Sequence, residues 1–558
     1  MVQGRSVALK SRSPIDPKER KAEANLQSIV RIFTVPENEH TTLGRIEKEI
    51  SQNLMGFLKE HIVAQETATS DLERDFIDTV IPENPSFVSE QAEFLLSKVV
   101  AQSVHVASPS FVGHMTSALP YFMLPLTKIM IALNQNLVKI ETAKAFTPLE
   151  RQVIGMLHRL VYGFSDDYYK KHTQDYECAL GAFSSGGTVA NITALWVAVN
   201  RLLPARDSFA GLAEEGVYAA LEHYGLKGLA ILVSRRGHYS LKKAANLLGI
   251  GKRNLIAIPT DAANKIRLDA LEAEVQRLRK EKIGIVAVVG IAGTTETGSV
   301  DPLAELAALC RQYHIHFHVD AAWGGPTLFS NANRYLLRGI EEADSVAFDA
   351  HKQLYTPVGA GITLMKSETA LQLIEHHAQY IIRKGSRDLG RWTLEGSRQG
   401  TAMLVHSGLK IIGRRGYEIL IDMGIKKAKD FAAMIKREPD FELVTEPELN
   451  LLTYRYVPAR LMASIQSMSP VEKLRWNEEL NRLTIALQKD QREAGKTFVS
   501  RTTLEPVAYE EQPTTVFRVV LANPLTTLEI LGDMLKEQRT IGEAIVLAEG
   551  FEELKSWL

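Results

Sequence analysis

Between residues 180 and 366 the chain alternates short apolar runs with stretches of helical period. The runs at 229–233, 255–258, 285–289 and 315–319 are rich in β-branched residues and end in polar or turn-forming positions, which predicts buried strands. Helical patterns such as 268–280 lie between them. This alternation predicts an α/β fold in which a mostly parallel sheet is covered by helices on both faces. Upstream, helical periodicity runs over 26–33 and 43–62, and 151–161 carries an apolar stripe. Thr147-Pro148-Leu149-Glu150 predicts a helix start, with the threonine as cap and the glutamate reaching back, and Asp301-Pro302 predicts another. A long helical region follows Ser397 to about 435, and strands at 451–456 and 516–520 then mix with helices.

A chain of 558 residues exceeds a single compact core. The pattern divides it into a flexible polar tail (1–25), an N-terminal helical segment (26–110), a large domain (111–396) and a smaller C-terminal α+β domain (397–558). Hydrophobic residues make up 45% and charged residues 23%, the balance of an ordinary globular protein, and the net charge of -1 gives no whole-chain attraction to nucleic acid or an anionic membrane. Cys178 and Cys310 stand apart with no partner at ligand spacing, which argues against a disulfide framework and a zinc site. No apolar run approaches the roughly 20 residues that span a bilayer. The first 25 residues contain Asp16, Glu19 and Glu23 and lack an apolar core, so they do not read as a signal peptide. The expectation is a cytoplasmic enzyme with no metal.

Two segments carry candidate chemistry. His316-Phe317-His318-Val319-Asp320-Ala321-Ala322-Trp323-Gly324-Gly325 and Asp344-Ser345-Val346-Ala347-Phe348-Asp349-Ala350-His351-Lys352 each read as a buried strand ending in a functional side chain. Ligands of open α/β sheets bind at that edge. A lysine that sheds its proton can form a Schiff base, and a carboxylate can keep a pyridine nitrogen protonated, so Asp320 and Lys352 are the two groups that pyridoxal 5'-phosphate requires. Ser184-Ser185-Gly186-Gly187-Thr188 precedes a helical pattern from about 189 to 203, and small residues there let backbone amides approach a phosphate. Ser234-Arg235-Arg236-Gly237-His238 follows another strand, which brings His238 to the same edge.

In these motifs the sequence resembles the group II pyridoxal-phosphate-dependent amino-acid decarboxylases, over roughly residues 80 to 440. The resemblance implies a fold type I pyridoxal-phosphate enzyme, and a homodimer. It gives Lys352 the Schiff base, Asp320 the ring nitrogen, and His238 and Ala322 the two ring faces. It sets Thr295 beside the cofactor, with Thr294 as the neighbour most easily confused with it. Gly187, Thr188 and Ser345 are implied at the phosphate and His351 next to the lysine, while the segment from Phe111 to Ser117 lies on the substrate side with His114 and Ser117 as candidates. Where several relatives have asparagine-proline before histidine-lysine, this chain has Asp349-Ala350. Arg387 and Asp388 fall where animal members carry a loop tyrosine that protonates the intermediate; Tyr380 and Trp392 flank that position, so the proton donor is unassigned.

Within the family the likeness is to bacterial pyridoxal-dependent aspartate 1-decarboxylases, which make β-alanine from L-aspartate for pantothenate synthesis. Glutamate or cysteine-sulfinate decarboxylation is the nearest alternative. An aminotransferase or carbon-carbon lyase would use the same lysine and aspartate, and an inactive pyridoxal-fold binding protein would act through a partner.

Overall fold

The computed structural model describes residues 42–57, 63–64, 67, 69–116, 118–378, 382, 385–465, 467–548 and 550–558. The predicted tail, the helix expected at 26–33, and the single residues Ser117 and Tyr380 lie outside them. The chain forms two compact units, one of residues 1–108 with 493–496 and one of 109–492 with 497–558. In the first, helix α1 (Thr42–Phe57) occupies much of the predicted 43–62 stretch, and the amides of Val63 and Ala64 donate to the Gly495 carbonyl.

The second unit is built on a seven-stranded sheet. Its strands are β1 (Gly181–Ser184), β2 (Gly228–Ser234), β3 (Leu255–Ile258), β4 (Ile283–Ile291), β5 (Phe317–Asp320), β6 (Ser345–Asp349) and β7 (Gly361–Met365), in the order β1-β7-β6-β5-β4-β2-β3. Pairing from β3 through β6 is parallel, while β7 runs antiparallel to β6 and β1. Strands β4 to β7 are buried almost throughout, as expected of a sheet covered on both faces. The covering helices include α2 (Phe146–Tyr162), α3 (Gly187–Leu202), α4 (Tyr239–Leu247), α5 (Leu268–Lys280) and α6 (Leu303–Tyr313). The long helical region after Ser397 is two helices, Ala402–Ile411 and α7 (Gly413–Ile435). A four-stranded antiparallel sheet of β8 (Phe441–Thr445), β9 (Leu451–Tyr456), β10 (Ser500–Leu504) and β11 (Thr514–Val520) packs with helix α8 (Leu528–Leu547) around its own apolar cluster.

Two predicted caps are corrected. Helix α2 starts one residue before Thr147, whose hydroxyl has no partner among the described residues, and Glu150 is turned to an ion pair with Arg398. Asp301 does not cap α6. Its carboxylate accepts from the amides of Ile266 (2.8 Å) and Ile291 (2.9 Å), tying the turn after β4 to the segment after β3. Burial raises its pKa to about 7 despite those bonds.

Candidate active site

The parallel strands end on one edge of the sheet, and the helices after β1 and β2 begin there. A cavity of about 380 Å³ opens at this edge, lined among others by Gly187, Thr188, His238, Asp320 and Lys352. That volume is in the range of small-molecule and cofactor sites.

Asp320 is the last residue of β5 and is 6% exposed. Its Oδ2 accepts from Asn191 Nδ2 at 2.9 Å and its Oδ1 from the Ala322 amide at 3.2 Å. Lys352 lies in the turn after β6, with Nζ 3.0 Å from Asp349 Oδ2. The residue that stands where several relatives have asparagine therefore pairs with the lysine, and Oδ1 of this buried carboxylate has no partner among the described residues. His351 Nε2 stands 3.7 Å from the same Asp349 oxygen.

At the other end of the cavity, α3 begins at Gly187. The Gly186 carbonyl accepts from the amides of Val189 and Ala190, while the Gly187 and Thr188 amides, in the first turn, have no carbonyl four residues back within the helix. The Ser185 amide already donates to the Glu395 carboxylate at 3.0 Å, so the turn binds an anionic oxygen. A Cβ on Gly187 would fall 2.7 Å from Asp349 Oδ2, and one on Gly361 would fall 2.3 Å from the Gly186 carbonyl carbon. Both positions need glycine for the cradle to close beside β6 and β7. Open amides at a helix N-terminus, an acceptor carboxylate and a primary amine around one cavity fit pyridoxal phosphate at its phosphate, ring nitrogen and aldehyde.

His238 caps α4 and lines the cavity. Its Nδ1 accepts from the Ser240 amide (3.3 Å) and is 2.9 Å from Ser240 Oγ. Burial lowers its pKa, opposed by Asp320 and reinforced by Lys352, so the ring is held neutral. Ala322, Thr295 and His351 also line the cavity. Thr294 is turned into its own loop, bonded to Thr297. His114 is exposed at the surface and outside the lining; partial desolvation, then the charges of Arg518 and Lys352, lower its pKa.

Ser345 does not reach the phosphate end. It is the first residue of β6, about 13 Å of strand from Asp349, fully buried and bonded to His316 and His318. Asn191, Ser240 and Arg236 have no role assigned from the sequence, although Asn191 and Arg236 line the cavity; Met115, inside the segment expected on the substrate side, lines it as well. The signal for Asn191 was available: an asparagine among the apolar residues of a helix interior is a poor helix former with an unmet amide.

Comparison with known proteins agrees with this geometry. The model of the pyridoxal-dependent decarboxylase conserved domain matches residues 73–457. The chain belongs to the pyridoxal-dependent decarboxylase family. It is an enzyme, a carboxy-lyase that uses pyridoxal phosphate. It is 59% identical over 525 residues to an aspartate 1-decarboxylase of Aliivibrio fischeri, covering 94% of this chain and 96% of that protein. It is 30% identical over 370 residues to the acidic amino acid decarboxylase GADL1 of Bos taurus, covering 65% of this chain and 66% of the relative. Among solved structures, mouse CSAD shares the fold with a TM-score of 0.76 at 24% identity, over 89% of this chain and 98% of that one.

Proposed function

We propose that this decarboxylase removes the α-carboxylate of an acidic amino acid, and that its substrate is L-aspartate and its product β-alanine, for pantothenate synthesis. The observation that carries the reaction is the convergence of Lys352, Asp320 and His238 on one cavity whose far end is an amide-lined helix start. The choice of aspartate is supported by the 59% identical relative of that name. Two buried arginines support an acidic substrate. Arg236 lines the cavity, 6% exposed, with Nε on Asn264 Oδ1 (3.1 Å) and one terminal nitrogen on Glu505 (2.7 Å). Arg518 donates to the carbonyls of Thr295 and Gly113, and burial lowers its pKa to about 10. Guanidinium groups already desolvated and oriented are suited to a second carboxylate.

When bound, pyridoxal phosphate supplies an electron sink for the bond that breaks at Cα. Lys352 would hold its aldehyde carbon, Asp320 its ring nitrogen, and the Gly187 and Thr188 amides its phosphate. His238 and Ala322 would confine the ring from its two faces. Met115, Ile291 and Trp323, all buried, contribute apolar walls that keep water from the reacting carbon. The proton returned to Cα comes from a cavity N–H, that of Lys352 Nζ or His238 Nε2.

The same reading makes the protein a cytoplasmic homodimer. Among the described residues no helix is long and apolar enough to cross a membrane, and both cysteines are free and buried. Leu124 and Ile131 stand exposed on one side of the helix Met123–Leu133 and Ile129 and Leu133 on another, apolar surface suited to a second copy.

The test incubates purified protein and cofactor separately with L-aspartate, L-glutamate, L-cysteine sulfinate and an aromatic amino acid, measuring carbon dioxide, amine and keto acid. Aspartate should give carbon dioxide and β-alanine in equal amounts. Preference for glutamate or cysteine sulfinate would reject the substrate, and failure to decarboxylate any of them would reject the function.

A further inference from the structure

Beneath Asp320 runs a buried line of polar side chains that leads away from the cavity. Asn191 Nδ2 lies 2.9 Å from Asp320 Oδ2, Asn191 Oδ1 2.9 Å from His318 Nε2, and His318 Nδ1 2.9 Å from Ser345 Oγ. Ser345 Oγ lies 2.8 Å from His316 Nε2, and His316 Nδ1 3.4 Å from a terminal nitrogen of Arg201, which also pairs with Asp344 at 2.6 Å. A branch leaves Asn191, whose Nδ2 is 3.0 Å from Ser240 Oγ. Ser240 Oγ in turn is 2.9 Å from His238 Nδ1. Asn191, Ser240, His318 and Ser345 are each 1% exposed or less, so no solvent substitutes for a missing partner.

The two ends of this network fix the direction of every hydrogen bond in it. Arg201 can only donate, so His316 Nδ1 accepts and Nε2 carries the proton. His316 then donates to Ser345, whose single hydroxyl hydrogen is left for His318 Nδ1. The choice between that and an Nδ1–H donating to the Ser345 carbonyl, 3.2 Å away, is made at Asp320, which takes an Asn191 amide hydrogen and so leaves Asn191 Oδ1 to accept from His318 Nε2–H. His318 therefore carries its proton on Nε2 and donates to Asn191 Oδ1, which turns the Asn191 amide hydrogens toward Asp320 and Ser240. At the other end the Ser240 amide donates to His238 Nδ1, so the Ser240 hydroxyl must donate there too and accept from Asn191. Both constraints give the same orientation. Burial agrees with it, lowering the pKa of His316 to about 3 and of His318 to about 4, so that each ring keeps one proton and one acceptor nitrogen.

We infer that Asn191 is the branch point of a one-way donor chain, running from Arg201 through His316, Ser345 and His318, that holds Asp320 as an anionic acceptor and His238 in its Nε2–H form. An Asp320 fed only by donors can complete its shell with a protonated ring nitrogen but not with a neutral one. His238, with Nδ1 committed, has its remaining N–H free for the cavity. Arg201, His316, His318 and Ser345 are positioning residues: they act on the cofactor through Asn191, from the opposite edge of the sheet.

The chain rests on the family's cofactor and not on the choice of substrate. Its test is Ser345→Ala, which removes one hydroxyl about 13 Å of strand from the cavity edge. His318 Nδ1 can then carry the proton and donate to the backbone carbonyl of residue 345, 3.2 Å away, and the Asn191 amide reverses to set its oxygen against Asp320. Equilibrium binding of pyridoxal phosphate and of its 1-deaza analogue, in which the ring nitrogen is a C–H, reads the effect without turnover. Wild type should prefer pyridoxal phosphate by at least about tenfold, and Ser345→Ala should lose most of that preference. A merely structural role would weaken both ligands together and leave the ratio unchanged. A folded Ser345→Ala protein with the wild-type ratio overturns the proposal. Should that variant fail to fold, Arg201→Met at the exposed end takes its place, and there too an unchanged ratio overturns it. Wild type binding neither ligand would instead remove the cofactor assignment, and the chain's role with it.

Discussion

Two cavities of nearly equal size sit at opposite edges of the same sheet, about 380 Å³ at the C-terminal ends of the parallel strands and about 360 Å³ at their N-terminal ends. Both are lined by histidine, aspartate and basic side chains. They differ in what the helices present. At the first edge α3 and α4 begin, offering open amides and the positive end of the helix dipole. At the second α3 and α6 end, and the cations there are consumed locally: Arg201 pairs with Asp344, and both Arg311 and Lys366 pair with Glu342. Lys352 shares its edge with an Asp349 oxygen that has no partner among the described residues, and with Gly187 and Thr188 amides that lack an intrahelical acceptor. The cations of the first edge are paired too, Lys352 with Asp349 and Arg236 with Glu505, so equal volume and similar composition give one edge suited to an anionic cofactor because helix N-termini face it. Helix polarity and leftover bonding capacity separate the two.

The sharpest way to break this comparison is Lys352→Ala, expected to bring turnover below detection while leaving the fold intact; a variant with wild-type rate would remove the first cavity's claim to the chemistry. Asp320→Asn keeps the shape but sets an amide where the Asn191 amide and a ring N–H both donate. It should cost about a hundredfold or more in kcat and weaken cofactor binding, both measurable on the purified variant.

The acid was legible in the sequence because it closes an apolar run of strand period, and the lysine because it follows another such run by three residues, where a charged group is not chosen by packing. The parallel sheet was legible for the same reason, and the 268–280 helix lies where its periodicity put it. Ser345 was misplaced because proximity to Lys352 in sequence says nothing of which end of a strand a residue occupies; β6 lies between them. The capping box at Thr147 failed because Glu150 finds a cation, Arg398, that is distant in sequence and adjacent only in the fold. Asn191 and Ser240 carry no motif of their own, and their roles follow from partners on β5 and α4.

Acidification should expose the layer between the two edges. His158, held near 4 by burial, joins His316 and His318 as rings buried in the neutral form. Their folded pKa values lie below the unfolded value of about 6.5, so below that pH the unfolded chain binds protons that the folded one does not. The stability these three rings contribute is therefore full above about 6.5 and falls as pH drops toward 4, by about 1.4 kcal/mol per pH unit for each fully contributing ring. It is offset over the same window by about as much as one ring loses through Asp301, whose carboxyl is raised to about 7. Urea unfolding from pH 7.5 to 4.5 checks the slope, and a flat profile would mean these rings are not buried neutral.

The smallest effect belongs to the matched edge. Glu342→Gln removes the anion from two partly exposed ion pairs there, and should change unfolding stability by no more than about 0.5 kcal/mol and the kinetics not at all. A loss of activity would show that the second cavity is more than a site of local charge matching.

The most direct test of the central claim is release of label from L-aspartate carrying isotopic carbon at position 1 or at position 4, with purified enzyme and pyridoxal phosphate. Carbon dioxide should be labelled from position 1 alone, matched mole for mole by β-alanine. Release from position 4, or conversion of aspartate to a keto acid without carbon dioxide, would contradict it.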